Sequence, residues 1–252
     1  VSTINPKFLD VDFTKDPRYV CGYQAVGDHR CLAYADSTDL IPESEWRELV
    51  ALIDAGGGGA DRLVTRIYDQ KNEGSCVANA CSQGHEILQA KQLGRDRVTH
   101  LSAMSLYKRI GSSPNSGAMV SDGMDEMSER GILPLDNPEN RARFGDKVMP
   151  NTGWRTAMPS GWEDVAKLFR LDERRVITSV NEMMTALIKQ EPVIVGREGH
   201  SICYVRPMWD GRWVVKYANS WGDWGEKGYG FDSLNQIKKS SGWAFALQSI
   251  VT

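Results

Sequence analysis

The sequence predicts an α+β fold with a helical first half, a sheet-forming second half and a cleft between them. Three observations carry this. Apolar residues at helical spacing dominate from Ser75 to about Arg130. Short runs rich in Val, Ile, Tyr and Trp, separated by turn residues, dominate after Pro192. Between them, from Asn137 to Gly161, Pro, Asn and Gly recur among charged residues, as in loops. A cleft between two such halves is the default place for chemistry.

Taken in order, residues 1–40 mix short apolar pieces with Asp, Pro and Gly and read as an extended arm. Its apolar residues Phe8, Leu9, Phe13, Tyr19, Val20 and Tyr23 predict that it packs on the rest of the chain or on a protein partner. Ile41 to Asp54 is in part helical, and Gly56 to Gly59 is a flexible connector that no Gly-Lys-Ser/Thr turns into a phosphate loop. Ser75 to Leu93 forms a long, largely buried helix with Gly84 as its weak point and Ser75 as N-cap. Further helices follow at Leu101 to Ile110, at Gly123 to Arg130 with Gly131 as terminator, and at Val180 to Lys189. Pro192 to Gly196, His200 to Val205 and Arg212 to Ala218 are strands.

The 252 residues, 41% hydrophobic and 25% charged, are those of an ordinary globular protein. A net charge of −3 offers no field to attract nucleic acid or an anionic membrane, and neither partner is expected. No segment reads as a membrane span or as a signal peptide. Five cysteines (Cys21, Cys31, Cys76, Cys81, Cys203) form no dense framework, and no Asn-x-Ser/Thr site is present. The expectation is a cytoplasmic or other reducing compartment. Cys21, His29 and Cys31 lack the fourth ligand that a zinc site needs, so no metal and no cofactor is expected.

Cys76 opens the long helix, where unsatisfied N–H groups and the helix dipole favour a thiolate; a cysteine on an apolar helix is otherwise an inert core thiol. Gln70, six residues earlier, can curl back so that its amide and the Cys76 N–H bind a developing oxyanion. Asp210-Gly211 reads as a two-residue hairpin turn, with Trp209 facing Arg212. In that register Ile202 lies opposite Asn219, so His200 and Asn219 are diagonal neighbours on one face. A base and the group that orients it are thereby brought together, as in a catalytic triad. Cys203 falls on the opposite face, in the core with Cys81.

These residues resemble the papain-like cysteine peptidases, over most of positions 41–252. The matches are Ile41-Pro42-Glu43 with Trp46, Val64-Thr65 through Gln70, Gly74-Ser75-Cys76, and Leu101-Ser102. Most specific is Asn219-Ser220-Trp221-Gly222 followed by Trp224-Gly225 and Gly228-Tyr229-Gly230. The resemblance implies a two-lobed fold, with a helical lobe at about 70–150 around a long central helix. It also implies an antiparallel sheet or barrel lobe at about 151–252 with part of 41–69. It implies a cysteine-type endopeptidase with Cys76 as nucleophile, His200 as base, Asn219 as orienter and Gln70 at the oxyanion. Gly74, Ser75, Gly117, Ala118, Ser201 and Trp221 are then expected to border a peptide or protein substrate, with Trp221 shielding the His-Asn pair and Ser201 next to the pocket for the residue two before the cut.

The chain departs from that pattern in places. Val77 replaces the tryptophan after the nucleophile, and Glu73 stands where a cysteine is expected, whose partner at Asn115-Ser116-Gly117-Ala118 is also missing. Only Gly196 to Gly199 separate the preceding strand from His200, so one cleft wall is cut down. The arm, short for a propeptide, reads as a strap, a reduced propeptide or a docking segment. Two rival readings stay open: a papain-fold binding component of a larger assembly without turnover, and another Cys-His amidase or acyl transferase.

Overall fold

The structure is a computed structural model and describes residues 4–20, 22–24, 31–240 and 244–251. Cys21 and His29, considered above as metal ligands, lie outside them. The arm contains only short helical turns and the two-residue strand β1 (Tyr23–Gln24); Asn5 and Asp12 cap two of those turns through their side chains. It leads into α1 (Glu43–Ala55). The central helix α2 (Cys76–Leu93) is followed by α3 (Ala103–Ile110), strand β2 (Ala118–Met119), α4 (Val120–Glu129) and α5 (Pro138–Phe144). The short α6 (Glu163–Ala166), β3 (Leu171–Ile177) and α7 (Val180–Ile188) come next. The chain ends with β4 (Val193–Arg197), β5 (His200–Trp209), β6 (Trp213–Ala218), the distorted turn α8 (Trp224–Lys227), β7 (Tyr229–Ser233), α9 (Leu234–Ser240) and β8 (Ala244–Ile250).

Six strands form one antiparallel sheet in the order β3-β8-β4-β5-β6-β7. Its two faces carry separate cores. On one, α2 packs with Ile194, Cys203, Val205 and Leu247; on the other, Trp46 and Val50 of α1 and Met183 and Leu187 of α7 meet Ile202, Tyr204 and Val215. Gly84 is the point of contact on α2, because a methyl there would lie 2.9 Å from Leu247 and 3.0 Å from Ile194. The helix-weakening glycine is therefore a close-approach residue. Because α2 is buried from Cys76 to Ala90, its polar side chains need internal partners. Glu86 shows how they are found: it accepts from Arg66, Tyr68 and the Leu101 N–H, and sits 3.2 Å from His100.

Several elements differ from expectation. Asn137 caps α5 by accepting from the Asn140 N–H, with Pro138 in the first turn, so the loop-rich stretch opens with a helix whose start signals are in the sequence. Strands β3, β7 and β8 are extra; they are recognisable only as partners of strands distant in sequence. Ser75 does stand at the N-cap position of α2, but its hydroxyl caps nothing and instead accepts from Asn79 Nδ2 at 3.0 Å.

The β5-β6 hairpin is also corrected. Trp209 pairs with Trp213, not Arg212, across a three-residue loop in which Gly211 has φ of 71°. Val205 then bulges from β5, so that Tyr204 pairs with Tyr217 and Cys203 with Ala218. The two one-residue departures cancel, and the register that reaches His200 and Asn219 is the expected one.

Candidate active site

Each side of the site is set by a different element. Cys76 is the first residue of α2, so its N–H has no acceptor within the helix. His200 is the first residue of β5 and follows a tight turn in which Glu198 and Gly199 both have positive φ, at 51° and 73°. Asn219 follows β6 directly, and its Oδ1 lies 2.8 Å from His200 Nε2. The other ring nitrogen, Nδ1, is buried with no hydrogen-bond partner. With Asn219 accepting, Nε2 carries the proton, which leaves Nδ1 a lone pair. Trp221 covers the pair, its ring centroid 4.6 Å from that of His200.

Gln70 is joined to the asparagine segment. Its N–H donates to the Ser220 carbonyl at 2.8 Å, and its Oε1 accepts from the Ser220 hydroxyl at 2.5 Å. Its Nε2 donates to the Glu73 carbonyl at 2.8 Å. The amide plane is held from both ends. Among the remaining expected residues, Gly74 lies against the Gly117 strip, where a methyl would be 3.1 Å from Asn115 and from Gly117. The Gly117 N–H donates to the Tyr107 hydroxyl at 3.2 Å. Ser201 is paired with Gly196 and faces α2, its hydroxyl buried without a partner. Ser220 stands in the motif quoted above, but sequence reasoning gave it no role; its only signal was its place next to Asn219.

The arm runs through this site. A methyl on Gly22 would lie 2.6 Å from Cys76 Sγ and 2.7 Å from the Gly74 carbonyl. The Gly22 and Tyr23 N–H groups donate to Gly199 O at 2.9 and 3.0 Å, and Gly22 O accepts from the Ala118 N–H at 2.9 Å. β1 pairs in parallel with β2, and the Tyr23 ring rests on Gly196. Earlier in the arm, Phe13 is wholly buried and meets the His200 ring edge-on at 4.7 Å and Trp221 at 5.5 Å. Arg197, buried and 3.2 Å from the Asp232 carboxylate, stacks over Phe13 and donates to Val11 O at 2.6 Å.

This burial has an electrostatic consequence. Loss of solvent pushes the His200 pKa down to about 4; the hydrogen bond to Asn219 opposes the shift, and the Arg197 charge adds to it. With the arm in place the imidazole is neutral at ordinary pH, and a thiolate-imidazolium pair is disfavoured. Cys81 and Cys203 are free, buried in the core and pushed well above the usual thiol range by burial. Among the described residues no cluster of three or more His, Cys, Asp or Glu is arranged to hold a metal, and no helix is long and apolar enough to cross a membrane.

A central helix carrying a cysteine at its start, packed on an antiparallel sheet that presents a His-Asn pair, defines the papain-like fold, and this chain has it. It is similar to xylellain, a cysteine protease from Xylella fastidiosa, with TM-score 0.65 and 17% identity over 91% of this chain and 96% of that one. It is similar also to digestive procathepsin L2 of Tenebrio molitor larval midgut, with TM-score 0.65 and 16% identity over 92% and 78%. A third is procathepsin B S9 from Trypanosoma congolense, with TM-score 0.60 and 13% identity over 92% and 87%. No family model matches the sequence, and no curated protein matches it.

Proposed function

We propose that the chain is a cysteine-type endopeptidase that hydrolyses peptide bonds through a thioester acyl-enzyme, and that it is held latent by its own arm. The observation that carries this reading is the 2.8 Å contact of His200 Nε2 with Asn219, which leaves Nδ1 unengaged. Cys76 attacks the substrate carbonyl after passing its proton to His200 Nδ1, and His200 returns a proton to the leaving amine. Water then hydrolyses the thioester with His200 as base. Gln70 Nε2 and the Cys76 N–H stabilise the oxyanion, and Asn219 holds the ring.

The arm lies in the cleft as a peptide but is not poised as a substrate. The Gly22 carbonyl accepts from the Ala118 N–H, and the Gln70 Nε2 is given to the Glu73 carbonyl, so the arm is held by strand-like hydrogen bonds rather than at the oxyanion donors. Activity then requires the arm to leave. A peptide-library cleavage profile of the full chain beside Cys76→Ala tests the reading, with Gly22→Ala in both to loosen the arm. Cleavage lost with Cys76→Ala and blocked by thiol alkylation is the expected result. Cleavage that persists in Cys76→Ala rejects this nucleophile. A chain that cleaves no peptide yet releases ammonia or transfers an acyl group is an amidase or transferase instead.

A further inference from the structure

Glu73 occupies the third position before the nucleophile, in a turn whose residues Lys71 and Asn72 are exposed and where Lys71 has φ of 54°. Its half-buried side chain is engaged by backbone. Oε1 accepts from the Gly153 N–H at 3.0 Å and from the Trp154 N–H at 2.8 Å, and Oε2 adds a 3.1 Å contact to Gly153. Two successive backbone N–H groups cradle one carboxylate, and charge-assisted bonds of this kind are about twice as strong as neutral ones. The Glu73 carbonyl, in turn, is the acceptor for Gln70 Nε2.

The anchor reaches a second wall of the cleft. Trp154 meets Tyr107 edge-on at 5.2 Å, and the Tyr107 hydroxyl accepts from the Gly117 N–H and donates to the Ser113 carbonyl at 2.8 Å. One carboxylate therefore ties the turn that aims Gln70 to the loop that supports the Gly117 strip.

We propose that Glu73 is a positioning residue for oxyanion stabilisation: its carboxylate, fixed by Gly153 and Trp154, holds the carbonyl that aims the Gln70 amide. This rests on the peptidase reading for the purpose of the Gln70 amide, but the tie itself is tested separately. Because Oε1 meets both N–H groups, glutamine keeps that acceptor while losing the charge and the Oε2 contact to Gly153, and alanine removes the tie altogether.

The test compares Glu73→Ala and Glu73→Gln in the full chain carrying Gly22→Ala. Four quantities are measured: kcat, KM, the affinity of a peptide aldehyde whose thiol adduct places an oxyanion at the site, and the rate of Cys76 alkylation by iodoacetamide, a displacement that develops no oxyanion. Loss of one oxyanion donor outright costs about 10²–10³ in kcat, and a loosened donor should cost roughly tenfold. The expected result is that Glu73→Ala lowers kcat and aldehyde affinity by that factor and leaves KM and the alkylation rate within about twofold, while Glu73→Gln restores both to within about threefold. Alkylation falling in step with kcat, or aldehyde affinity unchanged in Glu73→Ala, overturns the proposal. A parent chain that forms the aldehyde adduct but turns over no peptide rejects the hydrolytic reading alone, and the aldehyde-to-alkylation comparison still decides the role of Glu73. A parent chain that forms no adduct overturns both.

Discussion

Gly22 stands directly on the Cys76 thiol: its α-carbon has room for hydrogen and for nothing larger, since a methyl would come within 2.6 Å of the sulfur. The same methyl would also come within 2.7 Å of the Gly74 carbonyl oxygen. Overpacking of this kind costs about 1–3 kcal/mol. Gly22→Ala is therefore expected to weaken the hold of the arm by roughly 5- to 150-fold. Iodoacetamide labelling of Cys76 in the full chain should accelerate accordingly; an unchanged rate means that the arm does not guard the thiol.

Gln70→Ala removes a proposed oxyanion donor and should lower kcat by about 10²–10³ with little change in KM. Ser220→Ala, which only frees the Gln70 carbonyl end, should have a smaller effect in the same direction. Equal effects of the two on steady-state kinetics would count against a direct role for the amide.

Asn219→Ala leaves His200 Nε2 without its acceptor and the ring free to turn under Trp221. General acid-base catalysis contributes about 10²–10⁴, so a kcat loss of at least about tenfold is expected. Unlike Gln70→Ala, this variant should also slow Cys76 alkylation, because the thiol loses its base. Alkylation at the parental rate would show that the orientation of His200 does not matter to the thiol.

Glu86 supplies a prediction for the fold. Burial raises its pKa, but Arg66 and His100 outweigh this and bring it down to about 2 from an ordinary 4.5. A depressed carboxylate contributes stability above its unfolded pKa and loses it as pH falls through the folded one. Glu86→Gln should thus destabilise the protein by about 3 kcal/mol near neutrality, because Arg66 is left without its counter-charge. The gap between variant and parent in denaturant unfolding should hold above about pH 4.5 and close between there and about pH 2. A gap independent of pH excludes the ionised carboxylate as its source.

The site was legible because its two halves are each local. A cysteine at a helix start needs only the apolar periodicity after Ser75, and the His200-Asn219 pairing needs only a hairpin count. That count succeeded for an incomplete reason: the loop is one residue longer than the Asp210-Gly211 signal suggests, and the bulge at Val205 takes the extra residue back. A bulge is chosen by what packs on both sides of a strand, here α2 against one face and α1 and α7 against the other. No short-range signal records it. Strands β3, β7 and β8 were missed for a similar reason, since their pairing partners decide them.

From the sequence alone came the α+β class, the long buried helix, the candidate site residues Cys76, Gln70, His200 and Asn219, and an arm with apolar residues to bury. These follow from periodicity, turn chemistry and residue types, which act over a few positions. Tertiary structure alone decided that Gly22 sits on Cys76, that Phe13 packs on a His200 whose burial lowers its pKa, and that Glu73 is bound by Gly153 and Trp154. Each is a contact between residues from about 50 to nearly 190 positions apart. Such contacts depend on where the whole chain closes on itself, and burial, which sets the His200 titration, exists only once it has closed.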